Sequence, residues 1–554
     1  EIDRVVTQYA ARAIQGLEQV NGKASALAEG QLYAGDPDFF RNQLAAYAAV
    51  TPAQVRDAMQ RWLTRPVYSQ IVEPGEREAY VEAAAVPSGA APVEAVEIVR
   101  VPRDPMPAIG EVSNIDFPDV ERATLSNGIE VVYARSATVP VTRVAVEFDA
   151  GYAADDADSL GVHSMMLTLM NEGTTTRDSN ALAEAQERLG ASVNVGASMD
   201  RTAASLTAVT TNLDPSLVLL SDVVRNPAFA PAEVERLRAQ RLAGLANERT
   251  QPAALAARAL PALIYGEGNP YGRPFNGTGT PESITALTRE DLIAEHAQWV
   301  RPDNARIFVV SDLPLADIRA RLERSFGDWQ APAAPRGTKA FPADIPATTA
   351  RIVLIDRPQS PQSIIYGGAV LPVSGADDLL TLQAANTVLG TDFLSRINAD
   401  LRETKGWSYG VRGSINTLQH RAPYIVNAPV QANRTGESIA ALIAQYERFL
   451  TTDGVTAAER DRTVNGDTRG LAGGYETSGQ ILGALRSNAL YGRPDDYQET
   501  LASRTRALTA ADMDAAARAA IDPSTFVWVV VGDASVVRPQ LEALGLPIEV
   551  RPAQ

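Results

Sequence analysis

Few residues in this sequence can do bond-making chemistry, and their types narrow what that chemistry is. Cysteine is absent, and histidine occurs only at His163, His296 and His420. Disulfides, thiolate metal sites and thiol nucleophiles are therefore excluded. The three histidines stand far apart, and none belongs to an H-x-x-E-H or H-E-x-x-H pair, the spacing that sets two imidazoles on one helical face around zinc. Gly406-Trp407-Ser408-Tyr409-Gly410 matches G-x-S-x-G in letters but reads as a helix end running into a strand, the reverse of a strand-to-helix nucleophile elbow, and no convincing acid pair stands out. Hydrogen-bond donors of another kind occur in Leu401-Arg402-Glu403-Thr404-Lys405-Gly406-Trp407-Ser408-Tyr409. A guanidinium and a phenol both donate hydrogen bonds, and together they could hold a carbonyl oxygen or the oxyanion that replaces it in a transition state.

Two elements must position that pair. A helix over 394–404 is predicted to end near Lys405-Gly406, followed by a strand over 407–415 carrying Trp407 and Tyr409, so that both donors project from a fixed corner. The plainer alternative pairs Arg402 with Glu403 or Asp400 and makes Tyr409 an edge-strand aromatic. A second stretch, Gly161-Val162-His163-Ser164-Met165-Met166-Leu167-Thr168-Leu169-Met170-Asn171-Glu172-Gly173-Thr174, reads as a helix whose Met and Leu residues form a buried face rather than a ligand pocket. Gly473-Gly474 reads as a turn rather than a substrate loop.

The chain that carries these elements has 554 residues, enough for roughly three to four units. With 50 basic against 67 acidic residues its net charge is -17, which argues against a nucleic-acid partner. No run of about 18 apolar residues predicts a membrane span. Residues 1–75 read as helices closed by a strand at Val67–Val72, half of an α/β unit whose sheet is elsewhere, and the start at Glu1 reads as a cut or processed edge. A Pro/Ala-rich linker follows at 76–118, then strands and helices over 119–330 beginning with a strand pair around Asn127-Gly128. A second joint at 331–347 leads to a similar unit over 348–548.

The units repeat. Glu1, Asp3 and Arg4 fall on Glu459, Asp461 and Arg462 without a gap, and in the same register Leu32-Tyr33 fall on Leu490-Tyr491 and Thr51 on Thr509. A looser copy runs from Glu233-Val234-Glu235-Arg236 to the strand Ile307–Val310. A period of about 200 residues indicates duplicated domains rather than a solenoid.

The landmarks Leu125-Ser126-Asn127-Gly128-Ile129-Glu130-Val131-Val132, Gly161 to Thr174, Leu189-Gly190-Ala191, Asn226-Pro227-Ala228-Phe229 and Asn269-Pro270-Tyr271-Gly272-Arg273-Pro274 resemble, in order and spacing, one half of the insulinase/pitrilysin family of zinc metallopeptidases. The resemblance implies an α+β fold of α/β sandwiches, each a mostly antiparallel sheet packed with helices. Four such domains, two per half, close like a clamshell around a peptide. Residues 1–75 would end the second domain, 119–330 form the third and 348–548 the fourth.

In active halves of that family, H-x-x-E-H supplies two zinc ligands and the base, and a later glutamate completes the ligand set. The matching positions here are Ser164, Leu167, Thr168 and approximately Gly244, none of which can serve. His163 lies one position from the first ligand, about 100° away around a helix, which makes it a half-buried or interface residue. The segment Phe393-Leu394-Ser395-Arg396-Ile397 with Leu401 to Tyr409 resembles the family's S-R-L…L-R-E-x-x-G-x-x-Y motif, in which the residues matching Arg402 and Tyr409 bind substrate beside the zinc of the other half.

The implied function is the C-terminal portion of a zinc endopeptidase acting on peptides or unfolded segments in the bacterial periplasm. This chain by itself would be inactive. Zinc and H-x-x-E-H would come from an N-terminal fragment or partner, and the substrate-binding residues of this chain would be Arg402 and Tyr409. The alternative is a non-catalytic homologue that serves as a peptide-binding or structural subunit.

Overall fold

The computed structural model describes residues 1–73, 75, 114–342 and 344–553. Two compact units emerge: residues 3–48 with 114–554, and a smaller one over 49–113.

In the larger unit, twelve long strands and a two-residue ribbon are numbered in chain order: β1 (Val120–Thr124), β2 (Glu130–Arg135), β3 (Val141–Phe148), β4 (Gly173–Thr174), β5 (Arg177–Asp178), β6 (Ser192–Ala197), β7 (Thr202–Val209), β8 (Ala305–Ser311), β9 (Arg351–Asp356), β10 (Gln362–Ser374), β11 (Arg412–Ile415), β12 (Arg421–Gln431), β13 (Val527–Gly532) and β14 (Ile548–Pro552). They form two six-stranded sheets, ordered β1-β2-β8-β3-β7-β6 and β11-β12-β10-β13-β9-β14, and β4 pairs with β5. Both sheets are mixed and mostly antiparallel, with one shared core: β2 and β9 run parallel to β8 and β13, and the next three pairings are antiparallel in each. They differ at one edge, where β1 is antiparallel to β2 but β14 is parallel to β9.

The first helices are α1 (Ile2–Gly16), α2 (Val20–Ala34), α3 (Phe39–Ala48), α4 (Pro52–Trp62), α5 (Val162–Met170), α6 (Ser179–Leu189), α7 (Leu213–Arg225), α8 (Pro231–Glu248) and α9 (Pro252–Tyr265). One face of the first sheet packs on the apolar sides of α5, α6 and α7. Its other face receives Ile481, Leu482 and Leu485 of the helix Ser478–Tyr491, which comes from the later part of the chain. Reciprocally, α9 lays Leu255, Leu260 and Ile264 on Val353, Val527 and Val529 of the second sheet. Each half thus covers the back of the other's sheet. Strands covered on both faces must be apolar throughout, and all six residues of β13 are buried.

The first segment is seated on this frame through α1. Ala11 is buried, and Gly190, in the left-handed conformation at φ +58, leaves room where a Cβ would sit 2.8 Å from the Ala11 Cβ. Glu18 is buried, accepts the Ser478 N–H at 2.6 Å and pairs with Arg143 at 3.3 Å. The outer sides of α2 and α3 leave Val20, Leu32, Tyr33 and Phe39 exposed.

The smaller unit holds α4, opened by a capping box between Thr51 and Gln54. The strand expected at Val67–Val72 is not formed: Val67, Tyr68, Ile71 and Val72 are exposed, and among the described residues no strand pairs with them. A strand alone leaves its N–H and C=O groups without a ladder, and alternation cannot supply the missing neighbour. The linker expected at 76–118 lies, as far as residue 113, outside the described residues.

Other boundaries also shift. The strand expected over 407–415 begins only at Arg412. The helix expected at 394–404 is a short α segment continued by a π-helical turn at Ala399–Thr404, and the helix before it, Leu380–Asn386, is likewise continued by a π-helical turn at Thr387–Thr391. Gly473 and Gly474 form no turn but end the helix Ala457–Gly474, and two further helices, Ser478–Tyr491 and Tyr497–Ala507, were not anticipated.

Candidate functional site

Two places answer to the sequence. The first is the facing pair α5 and α8. Gly161, at φ +90, opens α5 with a backbone that favours glycine. Leu167 is buried in the core beneath the first sheet. The Thr168 hydroxyl is spent on the Ser164 carbonyl at 2.9 Å. The Ser164 hydroxyl accepts from Arg241 Nη1 at 3.1 Å. Gly244 is exposed on α8, with open space where a Cβ would be.

Arg241 was not anticipated. It sits one turn before Gly244 on α8, so it shares that residue's side of the helix. Burial pulls its guanidinium below the usual range, and among the described residues no carboxylate lies within ion-pair distance of it.

His163 is a core residue rather than a half-buried one. Its ring is fully buried, with Nδ1 2.6 Å from Glu295 Oε1 and Nε2 2.5 Å from Thr202 Oγ1. A carboxylate beside Nδ1 assigns the proton there and leaves Nε2 to accept from the threonine. The N–H groups of Gly161 and His163 donate to Asp155 at 2.6 and 3.0 Å. Burial pushes this carboxyl up to about 6 despite those bonds. The cluster pins the start of α5 to β7 and to the helix Arg289–Trp299.

The second place is the corner after residue 392. Arg402, on the π-helical turn, pairs with Glu403 at 3.2 Å and lies 4.4 Å from the centroid of the Phe393 ring. Gly406, at φ +64, reverses the chain, and the Trp407 N–H closes the turn on the Leu401 carbonyl at 2.9 Å. Ser408 donates to the Pro429 carbonyl at 2.6 Å, and Val411 N–H donates to Asn398 Oδ1 at 2.9 Å. Both ends of the loop are therefore fixed, and Tyr409 stands out from it at 89% exposure. Phe393 and Leu394 are also exposed. Arg402 and Tyr409 thus share one hydrogen-bonded corner, although Tyr409 is carried by a loop and not by a strand.

Arg396 does something different. It holds Glu459 in a two-pronged pair at 2.9 and 2.8 Å and caps the Gly454 carbonyl.

These features define a duplicated α/β architecture, two mixed six-stranded sheets of matching core topology, each packed with helices. A family model described as Insulinase (Peptidase family M16) matches residues 130–279, and one described as Peptidase M16 inactive domain matches 286–466. An uncharacterized zinc protease of Mycobacterium tuberculosis is 25% identical over 424 residues, spanning 76% of this chain and 92% of that protein. The solved peptidase M16 inactive domain from Pseudomonas fluorescens superposes with a TM-score of 0.69 at 26% identity, covering 75% of this chain and 98% of that one. The periplasmic protease PqqL from Escherichia coli has the same fold, with a TM-score of 0.62 at 16% identity over 89% of this chain and 52% of that one. The two family matches together span more than half of the sequence, and the chain belongs to the insulinase family, peptidase family M16.

The family's zinc does not fit the residues of α5 and α8. Two hydroxyls, a leucine and a glycine offer no imidazole or carboxylate, and the Arg241 guanidinium adds a positive charge at the same place. Among the described residues, no helix is long and apolar enough to cross a membrane.

Proposed function

We propose that this chain is the zinc-free wall of a two-part endopeptidase, presenting Arg402 and Tyr409 to a peptide whose scissile bond is activated by zinc on an N-terminal portion or partner. The observation that carries this reading is an asymmetry between the two places. On α5 and α8, Ser164 is bound by Arg241 and Leu167 is buried in the core, while the corner that carries Arg402 is fixed at both ends and exposes Tyr409. The corner follows a π-helical turn, a rare conformation that recurs at functional sites. A phenol and a guanidinium held there can donate to a developing oxyanion without themselves moving a proton.

The exposed apolar residues Val20, Leu32, Tyr33 and Phe39 of α2 and α3 suit a covering surface on the zinc-bearing part. The family resemblance implies peptides or unfolded segments as substrates, and the likeness of fold to PqqL, a periplasmic protease, supports the periplasm as the place of action. Mixing this chain with the zinc-bearing portion tests the reading: the mixture cleaves a quenched fluorescent peptide, whereas this chain alone has neither zinc nor activity. Stoichiometric zinc on this chain would overturn it.

One observation favours the alternative, a non-catalytic peptide-binding subunit. Arg402 is already engaged by Glu403 and Phe393, as an ordinary surface arginine would be. In that case the mixture binds peptide and leaves it intact.

A further inference from the structure

α9 covers only part of the back of the second sheet. It packs on β10 and β13, and beside it a cleft of about 390 Å³ opens over β11 and β12. Strand register sets the floor of this cleft. Arg412 pairs with Asn427, and Asn427 pairs with Tyr366, so three adjacent strands place these residues in one row, where directly opposed side chains share a face. All three line the cleft, with Leu260 and Phe275 forming apolar walls.

Two features of the row are unspent. The Asn427 side-chain oxygen is buried and has no hydrogen-bond partner. Turning the amide over would bury an unpaired NH2 group instead, so either orientation leaves a buried polar atom unsatisfied in a residue that lines the cleft. The exposed Arg412 guanidinium makes no hydrogen bond or ion pair with any described residue, whereas Arg258 on the opposite wall is occupied by Glu248 and the Gly279 carbonyl. An unpaired cation, an orphan amide and apolar walls complement a carboxylate next to an apolar side chain. β11, which carries Arg412, begins three residues after Tyr409 in the chain.

We propose that this cleft is a peptide subsite that recognises a carboxylate beside an apolar residue, with Arg412 binding the carboxylate and Asn427 a peptide amide. The ligand class rests on the peptide-enclosing reading above; the site rests on its own geometry. The carboxylate is either a peptide C-terminus or an acidic side chain.

The test is fluorescence anisotropy of this chain, without the zinc-bearing portion, against four N-terminally labelled peptides. Two end in Ala-Ala-Leu-Phe, one with a free and one with an amidated terminus. Two contain Leu-Glu or Leu-Gln within an amidated sequence. Saturable binding of a carboxylate peptide at least tenfold tighter than its uncharged counterpart is expected, and the tighter pair identifies the source. Arg412→Ala should weaken that binding at least tenfold, and Asn427→Leu should weaken it while leaving the melting temperature unchanged or higher. No discrimination within either pair, or equal binding by Arg412→Ala, would overturn the proposal. Arg412-dependent binding by a chain that supports no cleavage when mixed would sink the peptidase reading and leave the subsite standing. Normal cleavage with binding indifferent to Arg412 would do the reverse.

Discussion

A zinc ion and a guanidinium cannot comfortably share one pocket. A dication about 4 Å from a unit positive charge is repelled by about 8 kcal/mol at an effective dielectric near 20. Restoring the ligands alone, by Ser164→His, Leu167→Glu, Thr168→His and Gly244→Glu, should therefore yield no stoichiometric zinc, and adding Arg241→Ala should bring it to one ion per chain by atomic absorption. Equal loading with and without Arg241 would contradict this account of α5 and α8. The resemblance assigns the ligand positions from the Gly161 and Gly173-Thr174 landmarks, Gly244 only approximately. Arg241 was not legible in the sequence, because its role depends on reaching Ser164 across two helices. Asp155 was missed for the same reason, and it makes a prediction about pH. Its carboxyl rises from the ordinary 3.8 to about 6 in the fold, so the folded chain binds this proton more tightly than the unfolded one. The stabilisation is fully present below about 4 and is lost as pH rises to about 6. The stability of Asp155→Asn relative to the unaltered chain should therefore climb by about 2–3 kcal/mol between pH 4 and pH 7 in urea titrations. A constant difference would count against it.

At the scale of elements, the donor corner shows how far periodicity reaches. The turn at Gly406 and a helical segment before it were legible, but the strand assigned to 407–415 forms only from Arg412, because Trp407 and Ser408 are held by Leu401 and Pro429 rather than by a ladder. The π-helical turns escaped notice because their residues have ordinary helical composition. Arg396, in the short helix that leads into the second of them, joins this corner to the helix Ala457–Gly474 through Glu459. Burial alone would raise the Glu459 carboxyl, but hydrogen bonds from Arg396 and Thr456 outweigh it and hold it at about 2. That stability is present above the ordinary 4.5 and is lost as pH falls towards 2. Glu459→Gln should cost about 3 kcal/mol at pH 7 and little near pH 2, measured by urea unfolding at both. A cost that does not depend on pH would rule out the pair as its source.

For the whole molecule, the duplication was legible as a repeated register, and the two sheets share the core it implies. The exchange of backing helices was not, since α9 and Ser478–Tyr491 look like ordinary amphipathic segments and their targets lie far away in sequence. The exposed residues of α2 and α3 carry the assembly prediction. Leu32→Glu with Tyr33→Glu should abolish copurification with the zinc-bearing portion while changing this chain's own stability by less than about 0.5 kcal/mol. Retained association would place the covering surface elsewhere. The claim that joins all three scales is that this chain contributes donors, not metal, to the reaction. It is tested most directly by kcat/KM for peptide cleavage in the reconstituted protein carrying Tyr409→Phe. Loss of an oxyanion donor should lower kcat/KM by about 100-fold, mainly through kcat; an unchanged value would contradict the claim.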